Sequence, residues 1–195
     1  MNALLSQHHI ISDQVDAQEL SVILDTLEQV KAEGAIVEFG CYIGTTSLFI
    51  RRVIGDREFH VYDSFEGLPE KTTKDLSPAG EQFKKGELTA TKKQFVQEFK
   101  KANLALPVIH KGWFDQLTPD DVPEPIAFAF LDGDYYESVK TPLKLIENKL
   151  AKGATIIVDD YANEALPGAA KAVDEWCRAK SLSVRVVHSL AIIRV

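Results

Sequence analysis

AFLDGDYYES, residues 129–138, decides how this chain reads. An apolar run, residues 126–131, drives straight into two carboxylates, Asp132 and Asp134, with only Gly133 between them. A short continuous apolar run that stops at a turn glycine is the pattern of a strand buried on both faces, as in a parallel sheet. TIIVDDY, residues 155–161, repeats the arrangement and ends on Asp159 and Asp160. Two buried strands ending on paired acids ask for a common explanation, because like charges brought together repel unless something positive sits among them.

Working outward, the same alternation continues in both directions. AIVEFG from Ala35 and FHVYD, Phe59–Asp63, read as the first two strands, with a helix over 44–53 between them. Before them, Leu20, Ile23, Leu24 and Leu27 fall at helical spacing, with Gly34 as the expected stop. That stripe either packs on the sheet or forms a dimer seam. The first 12 residues show no period. From Ser64 to about Glu87 the chain is polar and carries Pro69, Pro78, Gly67, Gly80 and Gly86, which predicts a long functional loop, a lid over 64–88. A helix bearing Phe95, Phe99 and Ala102 follows, then a short third strand in PVIHKG, 107–112. Tyr136, Val139, Leu143, Ile146 and Leu150 form the stripe of an amphipathic helix, and Ala169, Val173, Trp176 and Cys177 mark another. VRVVHS and AIIRV close the chain as two strands, expected as a hairpin. Strands alternating with helices predict an α/β fold whose mostly parallel sheet is covered on both faces, with one antiparallel strand at or near its edge.

The chain has 195 residues, 45% apolar and 26% charged, which fits one globular domain with a substantial core. A formal net charge of −7 argues against a general nucleic-acid binder and against docking on anionic membranes. No apolar run approaches the roughly 20 residues of a spanning helix, and the N-terminal stretch lacks the basic and apolar regions of a signal peptide. Cys41 and Cys177 make neither a disulfide framework nor a zinc spacing, so a reducing cytoplasm is expected.

Ligands of open α/β sheets bind at the carboxyl ends of the strands. Those ends carry Glu38, Asp63, the Asp132–Asp134 pair and the Asp159–Asp160 pair. A hard divalent cation with oxygen ligands reconciles such a density of charge, and Asp132, Asp159 and Asp160 are the expected ligands, with magnesium the first candidate. The competing reading is that each acid merely caps the helix that follows. Asp63, ending the second strand, suits the hydroxyls of a ribose, and Gly40 and Gly44 let backbone approach a ligand closely. GCYIG is not G-x-G-x-x-G, and no P-loop lysine follows, so the ligand is expected to be a nucleoside without a pyrophosphate.

EFGCYIGTTS (38–47), VYDSFEGLP (61–69), KGWF (111–114), LDGDYYES (131–138) and IIVDDY (156–161) resemble the metal-dependent sugar O-methyltransferases of the macrocin and mycinamicin type. The resemblance runs from about residue 35 to 178 and reaches more loosely to catechol-type enzymes. It implies a Rossmann-like class I methyltransferase fold, with a seven-stranded sheet ending in a hairpin, and S-adenosylmethionine as cofactor. By motif, Glu38, Gly40, Tyr42, Gly44 and Thr46 would surround the methionine part. Asp63 would take the ribose hydroxyls with Ser64 and Phe65 near the adenosine, and Trp113 and Phe114 would line the adenine pocket. Asp132, Asp159 and Asp160 would bind the metal, and Asp134 would be the general base. The chemistry is coherent, because methyl transfer is an in-line displacement, a metal acidifies the acceptor hydroxyl and a carboxylate takes its proton.

The expectation is therefore an S-adenosylmethionine-dependent, divalent-metal-assisted O-methyltransferase acting on a small-molecule hydroxyl, a sugar or secondary metabolite, in a protein that self-associates as a dimer. The alternatives are a catalytically silent module binding the same cofactor and metal, an aspartate-based phosphatase and a nicotinamide oxidoreductase. Phosphatases of that kind want D-x-D after the first strand, and GCYIG disfavours the dinucleotide. His8 and His9 are expected to be exposed, and His110 to lie in a strand rather than on a metal.

Overall fold

The structure, a computed structural model, describes residues 3–195. Its seven strands are β1 (Ala35–Phe39), β2 (Phe59–Asp63), β3 (Val108–Lys111), β4 (Ile126–Leu131), β5 (Leu150–Val158), β6 (Val184–Val187) and β7 (Leu190–Arg194). They form one sheet in the order β3-β2-β1-β4-β5-β7-β6. The first five strands are parallel, and β7 enters antiparallel between β5 and β6. The antiparallel strand is thus one place in from the edge. β1 and β4 are buried along their whole length, as central parallel strands require, whereas the edge strands β3 and β6 have partly exposed faces.

The helices are α1 (Leu4–Gln7), α2 (Ala17–Glu28), α3 (Thr45–Ile54), α4 (Lys92–Lys101), α5 (Tyr136–Ile146) and α6 (Pro167–Lys180). Alternation along β1 sorts them onto two faces. Val37 and Phe39 point into a core shared with Val139, Leu143, Val173 and Trp176 of α5 and α6. Ile36 belongs to the opposite core, with Leu27, Leu48, Phe95 and Phe99 of α2, α3 and α4. The stripe Leu20, Ile23, Leu24, Leu27 is buried within the chain, between Phe49, the N-terminal segment and the sheet. It is a core face, packed within the chain.

Three boundaries differ from the sequence expectation. Leu150 opens β5 instead of closing a helical stripe, and α5 stops at Ile146. Gly34 does not end α2, which stops at Glu28; at φ +140° its Cα hydrogens pass the Pro125 carbonyl where any side chain would collide. The N-terminal segment, without apparent period, holds the single turn α1. Among the described residues no helix is long and apolar enough to cross a membrane.

Candidate active site

The strand order reverses direction of growth between β1 and β4, and the crevice outside the carboxyl ends there is where α/β sheets hold ligands. A cavity of about 610 Å³ opens at that point, a size suited to a small molecule. Its lining includes Glu38, Gly40, Tyr42, Thr46, Asp63, Ser64, Trp113, Phe114, Asp132, Asp134, Asp159 and Asp160. Gly44 and Phe65 lie outside it. Gly44 caps α3 at φ +95° with its α-carbon against the Phe95 ring, and Phe65 turns inward to meet Phe95 edge-on, so both serve packing.

The turn after β1 is shaped by two contacts. A side chain at Gly40 would stand 1.9 Å from the Asp132 carbonyl oxygen, so only glycine lets β1 and β4 close side by side. Asp63 Oδ2 accepts from the Cys41 and Tyr42 N–H groups at 2.8 and 3.0 Å, and its Oδ1 accepts from Phe65 N at 2.7 Å. The acid expected to meet a ribose therefore also braces the turn, and each oxygen has two lone pairs. Glu38 points to the α3 face and is fully buried. Its Oε2 accepts from Ser47 Oγ, while Oε1 has no partner, and burial raises its pKa to about 8. Thr45 Oγ1, at the start of α3, is likewise buried and unpartnered. Two orphan polar atoms in one cavity wall are the mark of a site completed by a ligand.

Asp132 and Asp134 follow β4, and Asp159 and Asp160 follow β5. Asp134 and Asp160 sit at φ +58° and +57°, left-handed positions that aspartate tolerates better than most residues. Asp159 Oδ1 accepts from Asp160 N, and Asp160 Oδ1 from Asn163 Nδ2. Burial, then the neighbouring carboxylates, raise all four acids, with Asp159 lifted to about 7. No lysine or arginine pairs with any of them among the described residues. Hard oxygen donors with uncompensated charge fit a divalent cation in chemistry. As the side chains stand, no three His, Cys, Asp or Glu groups among the described residues converge in ligating positions.

Sequence reasoning missed several lining residues. Glu19, in the first turn of α2, faces the acid cluster from the N-terminal side. Its Oε1 accepts from Ser189 N and Oγ, and that Oγ lies 3.3 Å from Asp159 Oδ1. In the sequence Glu19 reads as an ordinary first-turn acid, three residues after the helix cap Asp16. Leu68, Phe83 and Leu88 of the long loop also line the cavity, as its reading as a lid implies, though which of its side chains point inward has no local signal. His8 packs on Phe49 and, with His9, stays outside the lining; His110 lies in β3 and shares a hydrogen bond with His60.

Comparison with known proteins converges on one family. The family model described as Macrocin-O-methyltransferase (TylF) matches residues 8–189. The chain is 33% identical over 153 residues to the 8-demethyl-8-(2,3-dimethoxy-alpha-L-rhamnosyl)-tetracenomycin-C 4'-O-methyltransferase of Streptomyces olivaceus, covering 71% of this chain and 58% of that protein. It is 29% identical over 159 residues to the demethyldecarbamoylnovobiocin O-methyltransferase of Streptomyces niveus, covering 75% of this chain and 59% of that one. The matches thus span less than two thirds of these relatives' length. The solved structure of the O-methyltransferase NovP shares the fold, with a TM-score of 0.78 at 24% identity over 91% of this chain and 79% of that one. With nearly the whole chain matched and the motif-bearing strand ends gathered on one cavity, this protein belongs to the macrocin-O-methyltransferase family.

Proposed function

We propose that this protein is an S-adenosylmethionine-dependent O-methyltransferase acting on a hydroxyl of a small molecule, a sugar or secondary metabolite, with the help of a divalent cation. One observation carries the reading: the unpartnered Glu38 Oε1 and the Asp132, Asp134, Asp159, Asp160 cluster line the same cavity.

In this reading Glu38 Oε1 accepts from the ammonium of the methionine part, and Thr45 Oγ1 and Thr46 lie at the same wall. Asp63 Oδ1 keeps a lone pair for a ribose hydroxyl after its bond from Phe65 N. Trp113 and Phe114 offer apolar surface to the adenine. Asp132, Asp159 and Asp160 would hold the cation, magnesium first, which when bound would supply the positive charge that lowers the pKa of the acceptor hydroxyl. Asp134 then takes the hydroxyl proton on its carboxylate while the wall residues hold donor and acceptor in line.

Calorimetric titration of S-adenosylmethionine and S-adenosylhomocysteine, with and without magnesium chloride, tests the reading. Saturable binding of both, tightened by the metal, is expected. No binding of either nucleoside would overturn it, and binding indifferent to magnesium, manganese and calcium would remove the metal.

A further inference from the structure

Asn163 joins the acids that follow β5 to the long loop. Its Oδ1 accepts from Ala165 N at 3.0 Å, which fixes the orientation of the amide and aims Nδ2 the other way. Nδ2 then donates to Asp160 Oδ1 at 2.9 Å and to Gln82 Oε1 at 3.3 Å. Gln82 belongs to the loop and lines the cavity together with Asp160. A side chain that only shaped its own turn would need the Oδ1 bond and nothing more. The two donated bonds go further, because they tie a carboxylate of the site to a residue 81 positions earlier.

The loop is gathered at the same place by two other contacts. Ser77 Oγ donates to the carbonyl of Glu164, the neighbour of Asn163. Lys71 Nζ donates to the Gln82 carbonyl at 2.8 Å, and Lys71 is itself largely buried over the Tyr135 ring. Gln82 therefore reaches Asn163 from a braced backbone rather than from a free loop tip.

From this geometry we infer that Asn163 is a positioning residue with two duties. It sets the Asp160 carboxylate for a divalent cation, and it makes closure of the 77–88 part of the loop and occupation of the acid cluster favour one another. The inference rests on the metal-assisted reading proposed above. A carboxylate fixed by a cation holds the amide still, so its other N–H meets Gln82 without a further ordering cost; a closed loop does the same for the carboxylate. Linkage makes the effect reciprocal: whatever the Gln82 contact adds to cation binding, the cation adds to loop closure.

The test uses the intact chain saturated with S-adenosylhomocysteine. Magnesium chloride is titrated by calorimetry, and hydrogen exchange in 77–88 is followed with and without the metal. Gln82→Met keeps the length of the side chain and removes its acceptor. Asn163→Ser keeps an acceptor for Ala165 N but has one donor, so it cannot serve Asp160 and Gln82 together. In the wild type, magnesium is expected to slow exchange in 77–88, and both variants should lose that slowing. Magnesium should bind about three- to tenfold more weakly to Gln82→Met, although no ligand has been touched, and at least as much more weakly to Asn163→Ser. Wild-type magnesium affinity in Gln82→Met, or slowing that survives in it, would overturn the coupling, as would loop exchange in the wild type that ignores bound magnesium. Wild-type affinity in Asn163→Ser would leave Asn163 a turn former alone. A wild type that binds the nucleoside but no divalent cation would sink the metal-assisted reading itself, and this inference with it.

Discussion

Asp134 occupies a backbone position that only the surrounding turn makes tenable. Its φ of +58° is followed by a tight bond from Tyr135 N to the Gly133 carbonyl, and a side chain at Gly133 would stand 2.6 Å from the Ser138 carbonyl oxygen. Strain of this kind costs about 1–3 kcal/mol and collects where function fixes a side chain. Asp134→Asn keeps the shape and removes the base. It should lower kcat by about 10²- to 10⁴-fold while S-adenosylhomocysteine and magnesium bind as before, read by paired kinetics and calorimetry. Undiminished turnover would strip Asp134 of the role. Glu38 yields a different experiment. Burial raises its pKa to about 8 from an ordinary value of 4.5, so between those limits the folded protein keeps a proton that the unfolded chain has released. Raising pH through that window favours unfolding, by up to about 1.4 kcal/mol per pH unit for one proton, and the slope vanishes above it. Denaturation of Glu38→Gln at pH 5 and pH 8 should show this part of the slope abolished; a variant that loses as much stability as the wild type would contradict the assignment.

At the scale of elements, the long loop is the part least legible beforehand. Proline, glycine and polarity predicted a lid over 64–88 but gave no sign that its middle is fastened. Asp75, nearly fully buried in a short 3₁₀ turn, accepts from Thr72 and, through Oδ1, from Tyr136 N at 2.6 Å. That bond supplies the cap that α5 lacks locally, since the Tyr135 side chain makes no cap hydrogen bond. Lys74 adds an ion pair to Glu175 and sits 3.8 Å from the Tyr136 ring centroid. No local signal connects residues 61 positions apart. The same limit explains Leu150, whose place in a helical stripe was a coincidence of spacing that β4 overrode by pairing with it at Ile126. What was legible was the set of strands and their acidic ends, because buried apolar runs and turn glycines are local. Three substitutions test the fastening by urea denaturation. Asp75→Ala should cost about 1–3 kcal/mol by leaving Tyr136 N and Thr72 unsatisfied, and Asp75→Asn less, because its amide oxygen still accepts. Gly168→Ala, within α6, would gain up to about 1 kcal/mol from helix propensity alone. Its Cβ would instead stand 1.9 Å from Asp75 Oδ1, so net destabilisation is expected.

Across the whole molecule, the cavity is assembled from pieces far apart in the chain. Gln14, Val15 and Glu19 come from the N-terminal side, Leu68 to Glu70 and Gln82 to Leu88 from the loop, Trp113 to Gln116 from beyond β3, and the acids from β4 and β5. The sheet order was foreseeable from the right-handed crossovers of parallel strands, which set β1, β4 and β5 side by side. The 64–88 loop was expected over those ends and does line the cavity, but the N-terminal contribution was not foreseeable, since nothing in a single segment encodes a contact such as Glu19 with Ser189. A ligand bound in such a cavity links all these segments, so its effect should reach each of them. At a hundredfold excess over its dissociation constant, S-adenosylhomocysteine stabilises the folded state by about 2.7 kcal/mol. For a chain of this length that corresponds to a rise in Tm of about 5–10 °C. Hydrogen exchange should slow together in 14–19, 64–70, 82–88 and 112–116, while the edge strand β6, which contributes nothing to the lining, stays unchanged. Protection confined to the turn after β1 would mean that loop and N-terminal segment do not close on the nucleoside, and that they answer to the acceptor alone.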